Sequence, residues 1–306
     1  MKTEQRSLEI TMLPILIFIF PGIINFEAKM DSNTVLNIND TTVAFHEACI
    51  NGNLHLAISL LSKKEEIDLT QLEEKNTLAI VIGQEHEEIL KLLLKIGMNV
   101  NQQVGVKPFQ RTLLHHACLL NPNPTIVKIL LENGAFIEAT DYSDATPLIQ
   151  ACCTGSFKVV QLLIQHHAVV HARDTCGQTP LHLACLSNRR KTTRIIEISR
   201  IIETLIENGA NVEAKDNNGE TPLHTASACE NLDTVQMLVK HHADVNARNM
   251  NGSTPLHLAC YNFASPTMVK VLLENGASVD AGDKFGLTPL HVASRGYNGT
   301  ASKQWH

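Results

Sequence analysis

Thr179-Pro180-Leu181-His182, Thr221-Pro222-Leu223-His224, Thr254-Pro255-Leu256-His257 and Thr288-Pro289-Leu290-His291 are four copies of one tetrapeptide. Thr146-Pro147-Leu148-Ile149 is a fifth, changed only in its last residue. From Thr146 onward the copies stand 33, 42, 33 and 34 residues apart. A fixed period of this length marks a stack of small units, none able to bury its apolar face alone. Function then belongs to a surface assembled from several units rather than to one residue.

Each unit opens on a tight turn: Asp174-Thr175-Cys176-Gly177, Asp216-Asn217-Asn218-Gly219, Asn249-Met250-Asn251-Gly252 and Asp283-Lys284-Phe285-Gly286. Asp or Asn followed closely by Gly suits such a turn, because Gly tolerates positive φ. Thr then serves as helix N-cap and Pro fits the first helical position, where its missing N–H is not needed. A short helix follows, with Leu181, Ala184 and Cys185, or Leu256, Ala259 and Cys260, at core spacing. A second helix, such as Ile126–Glu132, carries apolar residues at helical spacing. It stops at Asn133-Gly134, and Gly97, Gly209 and Gly276 end its equivalents. His167 and His242 replace that Gly in two units, at modest expected cost, since His enters the left-handed region more readily than most residues. The His of the tetrapeptide recurs at one place, which predicts a repeated structural bond between neighbouring turns.

Composition excludes some functions. The 306-residue chain is 44% apolar and 18% charged, with a formal net charge of -6. That balance argues against a general nucleic-acid binder, and 4% aromatic residues leave little for stacking on bases. Of eight cysteines, Cys49, Cys118, Cys152, Cys185 and Cys260 share one repeat position, which Ser227 and Ser294 fill elsewhere. Equivalent residues of stacked helices stand about 8–10 Å apart, beyond disulfide reach. These five read as small core residues, while Cys153, Cys176 and Cys229 occupy other positions. Cysteine usage of this kind favours a cytoplasmic setting.

A helix-turn-helix unit of this period carrying Thr-Pro-Leu-His resembles the ankyrin repeat. The pattern Asp-x-x-Gly-x-Thr-Pro-Leu-His-x-Ala-Cys, followed by Gly-Ala-x-Val-x-Ala, holds from about Arg111 to Ser294. Glu132-Asn133-Gly134-Ala135, Glu207-Asn208-Gly209-Ala210 and Glu274-Asn275-Gly276-Ala277 match almost verbatim. Val43–Cys49 and Thr77–Gly83 are weaker matches. The resemblance implies an all-α ankyrin-repeat solenoid of seven units and a final half over 41–297, with hairpin loops projecting like fingers. Residues 1–29 form an apolar N-terminal segment, 30–40 a linker and 298–306 a polar tail.

The resemblance also implies protein binding, without cofactor or metal, through finger tips and the inner face of each first helix. By motif position the finger contacts are Tyr142, Ser143 and Ala145; Thr175, Cys176 and Gln178; Asn217, Asn218 and Glu220; Met250, Asn251 and Ser253; and Lys284, Phe285 and Leu287. The first-helix contacts are Leu119, Leu120, Cys153, Thr154, Leu186, Ser187, Ala228, Cys229, Tyr261 and Asn262. Met250, Tyr261, Phe285 and Leu287 are apolar. They are either hot spots of a concave face or packing for the next finger.

Three departures stand out. The fifth unit is nine residues long in excess. Its Ile195, Ile198, Ile202 and Leu205 stripe predicts a second helix extended N-terminally by about two turns. Arg189, Arg190, Lys191 and Arg194 before it make a basic loop, open either to an acidic partner or phosphate or simply to solvent. The last unit stops after its first helix, as in a shortened form of a longer protein or one whose flank a partner covers. Met12–Phe20 is wholly apolar and is followed by Pro21-Gly22. It reads as a signal peptide, a membrane anchor or an untargeted extension, with Met30 as a further start.

The leading expectation is a non-enzymatic interaction module holding a protein partner, itself a monomer. The alternatives are an adaptor recruiting substrates to a machine such as a ubiquitin ligase, and a membrane-anchored or secreted binder. Enzymatic chemistry lacks support. His166-His167 and His241-His242 lie two units apart, about 20 Å at helix-stacking distance, too far to share an ion bound at about 2 Å. No phosphate loop or activated-nucleophile motif occurs.

Overall fold

A computed structural model describes residues 41–62, 67–105, 110–120, 122–186, 193–261 and 266–296, with residues 193–195 and 295–296 described by backbone alone. The N-terminal apolar segment and linker, and the tail, lie outside them. Among the described residues no helix is long and apolar enough to cross a membrane.

Sixteen helices occur among the described residues. The first units contain α1 (Thr41–Ile50), α2 (Leu54–Ser62), α3 (Leu69–Glu74), α4 (Thr77–Gly83) and α5 (Glu87–Lys95). Then come pairs: α6 (Leu113–Leu119) with α7 (Pro124–Glu132), α8 (Pro147–Thr154) with α9 (Phe157–Gln165), and α10 (Pro180–Leu186) with α11 (Thr193–Glu207). They continue as α12 (Pro222–Ala228) with α13 (Leu232–Lys240), α14 (Pro255–Tyr261) with α15 (Pro266–Glu274), and α16 (Pro289–Gly296). First helices stack on first helices in the row α4–α6–α8–α10–α12–α14–α16. Second helices stack in the row α5–α7–α9–α11–α13–α15.

The core runs between the rows. Leu148, Leu181, Leu223 and Leu256 of the tetrapeptide are buried, as are Ala151, Ala184, Ala226 and Ala259 one turn on. Cys49, Cys118, Cys152 and Cys185 are buried thiols in this column, Cys260 is half-buried, and Ser227 takes the same place. Burial raises the thiol pKa of Cys118, Cys152 and Cys185, which makes them packing groups and poor nucleophiles.

The second helices end in the left-handed conformation that the sequence predicts. Gly134 and Gly209 have φ of 84° and 91°, and His167 and His242 adopt 67° and 63° in their place. α11 has 15 residues where α7, α9, α13 and α15 have 9. The six added residues make just under two turns. Ile198, Ile202 and Leu205 of its stripe are buried, and Ile201 joins them. The side chain of Ile195 lies outside the described residues.

One helix has no sequence forecast, and one finger is a hairpin of the kind that the resemblance implies. α3 packs against α1 and α4, with Asp68 capping it by accepting from Thr70 and Gln71 N–H at 2.9 and 3.2 Å. Leu72 anchors it in the core. The third unit's finger is a two-stranded ribbon, β1 (Gln103–Val104) against β2 (Arg111–Thr112), antiparallel with Gln103 opposite Thr112. It is the one strand pairing among the described residues; the later fingers are compact turns.

Candidate functional site

Each later finger is organised by one carboxylate or amide. Asp174 Oδ1 accepts the N–H of Cys176 and Gln178 at 2.9 and 2.8 Å. Asp216 does the same for Asn218 and Glu220, Asn249 for Asn251 and Ser253, and Asp283 for Phe285 and Leu287. Backbone bonds close the turn, as in Asp216 N–H to the Glu220 carbonyl and Gly219 N–H to the Asp216 carbonyl, both 2.9 Å. In the fourth unit Asp144 occupies the glycine place at φ 54°, and Asp141 receives Ser143 and Ala145 N–H.

Neighbouring fingers are then tied together. The N–H of Thr175, Asn217, Met250 and Lys284 donates to the carbonyl of Ser143, Cys176, Asn218 and Asn251 respectively, at 2.8–2.9 Å. Below the fingers the tetrapeptide histidine makes the predicted bridge. Thr179 N–H donates to His182 Nδ1 at 3.2 Å, which leaves Nε2–H to donate to the Glu220 carbonyl of the next unit at 3.0 Å. His224 reaches the Ser253 carbonyl and His257 the Leu287 carbonyl in the same way. His115, paired with Thr112, reaches Ala145. Burial lowers the pKa of His115, His182 and His224, the last to about 4, so these rings are neutral connectors. Ile149 has no ring nitrogen and cannot form the bridge.

On this frame the expected contact residues divide into three groups. Thr175, Cys176, Asn217, Asn218, Met250, Asn251, Lys284 and Phe285 are exposed tips. Met250 is 60% exposed and Phe285 77%. Tyr142 and Ser143 are half-buried. Arg111 holds Tyr142 by an Nη2–OH bond of 3.2 Å and lies 5.2 Å over its ring, and Ser143 Oγ–H donates to Asp141.

The column four residues after the turn aspartate faces inward, so five expectations of free surface need correction. Gln178 is only 5% exposed and Ala145 is buried. Glu220, Ser253 and Leu287 are half-buried. The reason is local: the N–H of each residue in this column bonds the turn aspartate or asparagine, and the carbonyls of Ala145, Glu220, Ser253 and Leu287 receive His115, His182, His224 and His257. Glu220 Oε1 accepts Asn249 Nδ2–H at 3.2 Å. Burial, with Asp216 nearby, pushes its carboxyl up to about 7.

On the first helices Leu119, Cys153, Thr154, Leu186 and Cys229 are half-buried, Leu120 is exposed and Tyr261 is 43% exposed. Ala228 is buried instead of exposed, being enclosed in the α12 row. Ser187, Asn262, Arg189, Arg190 and Lys191 lie outside the described residues, and of Arg194 only the backbone, in α11, is described. Sequence reasoning missed Asp144, an exposed tip whose signal was its alignment with the finger glycines. Among the described residues no group of three or more His, Cys, Asp or Glu side chains is placed to hold a metal ion.

A family model described as "Ankyrin repeats (3 copies)" matches residues 45–141, 140–198, 197–283 and 248–302. The chain belongs to the ankyrin-repeat family. A search of curated proteins finds no match. Ankyrin repeats are generally non-enzymatic modules for protein–protein interaction.

Proposed function

We propose that this ankyrin protein is a non-enzymatic scaffold that holds a protein partner along the face lined by its fingers and first helices. The observation that carries this reading is the tip register. Exposed side chains at Thr175, Asn217, Asn218, Met250 and Phe285 sit on backbones already fixed by finger-to-finger bonds. A surface ordered beforehand loses little conformational entropy on binding, so contacts spread over several units add to affinity. Structural roles occupy the groups that could otherwise react: His115, His182 and His224 are neutral connectors with both ring nitrogens engaged, and Cys118, Cys152 and Cys185 are buried thiols of raised pKa.

A photo-crosslinking residue placed at Asn218 and, separately, at Lys270 on α15 tests the assignment. Both positions are exposed. In cells the Asn218 probe should trap a discrete protein adduct that the Lys270 probe does not. Equal trapping, or none at Asn218, would overturn the face assignment.

A further inference from the structure

Asparagine is followed by glycine at Asn51, Asn133, Asn208, Asn218, Asn251, Asn275 and Asn298. Such a pair is chemically labile, because glycine has no side chain to shield its nitrogen from the asparagine amide carbon. The first six pairs lie among the described residues, and all six asparagines are exposed. In each pair the glycine N–H donates to the carbonyl three residues back, at 2.9–3.2 Å. Neither exposure nor the glycine bond tells the six apart.

The asparagine side chain does. At the ends of second helices, Asn133, Asn208 and Asn275 donate Nδ2–H to the carbonyls of Ile129, Thr204 and Val271, each at 2.8 Å. At the finger tips, Asn218 and Asn251 use backbone groups alone. Their N–H donates to Asp216 and Asn249 Oδ1, and their carbonyls accept Met250 and Lys284 N–H. Their side-chain amides have no hydrogen-bond partner among the described residues, and neither has that of Asn51, just after α1. Asn217, beside Asn218, is tied through Nδ2 to the Thr175 carbonyl. A tied amide must break its bond before its carbon can turn onto the glycine nitrogen; a free one need not. A bond of ordinary strength corresponds to about tenfold in rate.

We propose that Asn218 and Asn251 are sites of spontaneous deamidation that changes the charge of the partner face. The finger turn first opens and frees the glycine N–H, as short exposed loops do more readily than packed elements. The glycine nitrogen then attacks the asparagine Cγ. The new N–Cγ bond replaces Cγ–Nδ2, and the side-chain nitrogen leaves as ammonia with the glycine proton. Water opens the resulting succinimide at either carbonyl, giving aspartate or isoaspartate. Either product sets a carboxylate where a neutral amide stood. Isoaspartate also lengthens the main chain by one carbon and displaces the carbonyl that holds Met250 or Lys284 N–H. The modification stands by itself; its effect on partner binding rests on the scaffold reading.

The test keeps the 306-residue chain folded in mildly alkaline buffer. Peptide mass spectrometry follows the amide-to-acid mass gain at each asparagine, and chromatography separates aspartate from isoaspartate. Asn218 and Asn251 should convert at least about tenfold faster than Asn133, Asn208 and Asn275, with Asn51 in the fast group. In concentrated urea the six rates should draw together. Tips that convert no faster than the helix ends in the folded chain would overturn the proposal. So would a gap that persists in urea, because the flanking sequence rather than the fold would then set it. The crosslinking trap at Asn218 is read independently of these rates, so failure of the scaffold reading and failure of this one are told apart.

Discussion

At the scale of single residues, equivalence by repeat position is a strong guide to burial and an uneven guide to exposure. The serine at position 227 shows how far equivalence reaches. It occupies the column of Cys118, Cys152 and Cys185, fully buried, and its hydroxyl has no hydrogen-bond partner among the described residues. A buried polar group without a partner is destabilising, and a thiol tolerates apolar surroundings better. Ser227→Cys should therefore raise stability by about 1 kcal/mol, seen as a higher melting temperature in reducing buffer. A lower one would mean that the column has no room for sulfur there. Gln178 shows the limit. Its place in the motif looked exposed, yet its N–H and carbonyl both bond Asp174 of its own turn and the side chain is buried.

Among the elements, α11 is where the sequence departs most from its period. Its extension was readable because Ile198, Ile202 and Leu205 keep helical spacing through the added residues. It is held to the previous unit by Arg200, whose guanidinium lies 3.8 Å over the Phe157 ring of α9. The face turned away from the Ile198, Ile202 and Leu205 stripe is open, with Ile196 69% exposed. Ile202→Ala should cost about 2–4 kcal/mol through the cavity it leaves, whereas Ile196→Ala should stay within about 0.5 kcal/mol. Comparing the two melting temperatures checks the facing of the helix; similar losses would mean it is rotated. α3 escaped the sequence because the early units depart from the motif.

For the molecule as a whole, cohesion runs through repeated interfaces, and the same neutral imidazole serves several of them. Burial depresses His46, His115, His182 and His224, and also His116, which falls to about 4. In the unfolded chain these rings take up protons near the ordinary value of about 6.5. The folded state refuses them, so its stability is full above that pH and declines as pH falls toward 4. Glu220 and Asp174 run the other way. Burial raises them to about 7 and about 6, so they favour the folded state most at low pH and lose that contribution as pH rises through those values. Five imidazoles outweigh two carboxyls, and the net expectation is a melting temperature that drops between pH 6.5 and 4. His224→Gln should melt lower at neutral pH and lose less on acidification. A melting temperature flat over that range would refute the account.

The sequence by itself determined the period, the helix pairs, the turn and cap residues, and the column of small core side chains. Those depend on chemistry within one unit, where Asp, Gly, Thr and Pro act on their own backbone. Only the tertiary structure decided which tips stay open. Exposure at a finger depends on what the adjoining unit supplies: Met250 is seated by Gly219 of the preceding finger, Tyr142 by Arg111, and Glu220 by Asn249 of the following one. Leu290 makes the point from the core side. It matches Leu181, Leu223 and Leu256 letter for letter, yet is 76% exposed where they are buried, because among the described residues no further unit stacks on α16. A motif specifies what a side chain can do; the stacked neighbour decides whether it faces the core or the solvent.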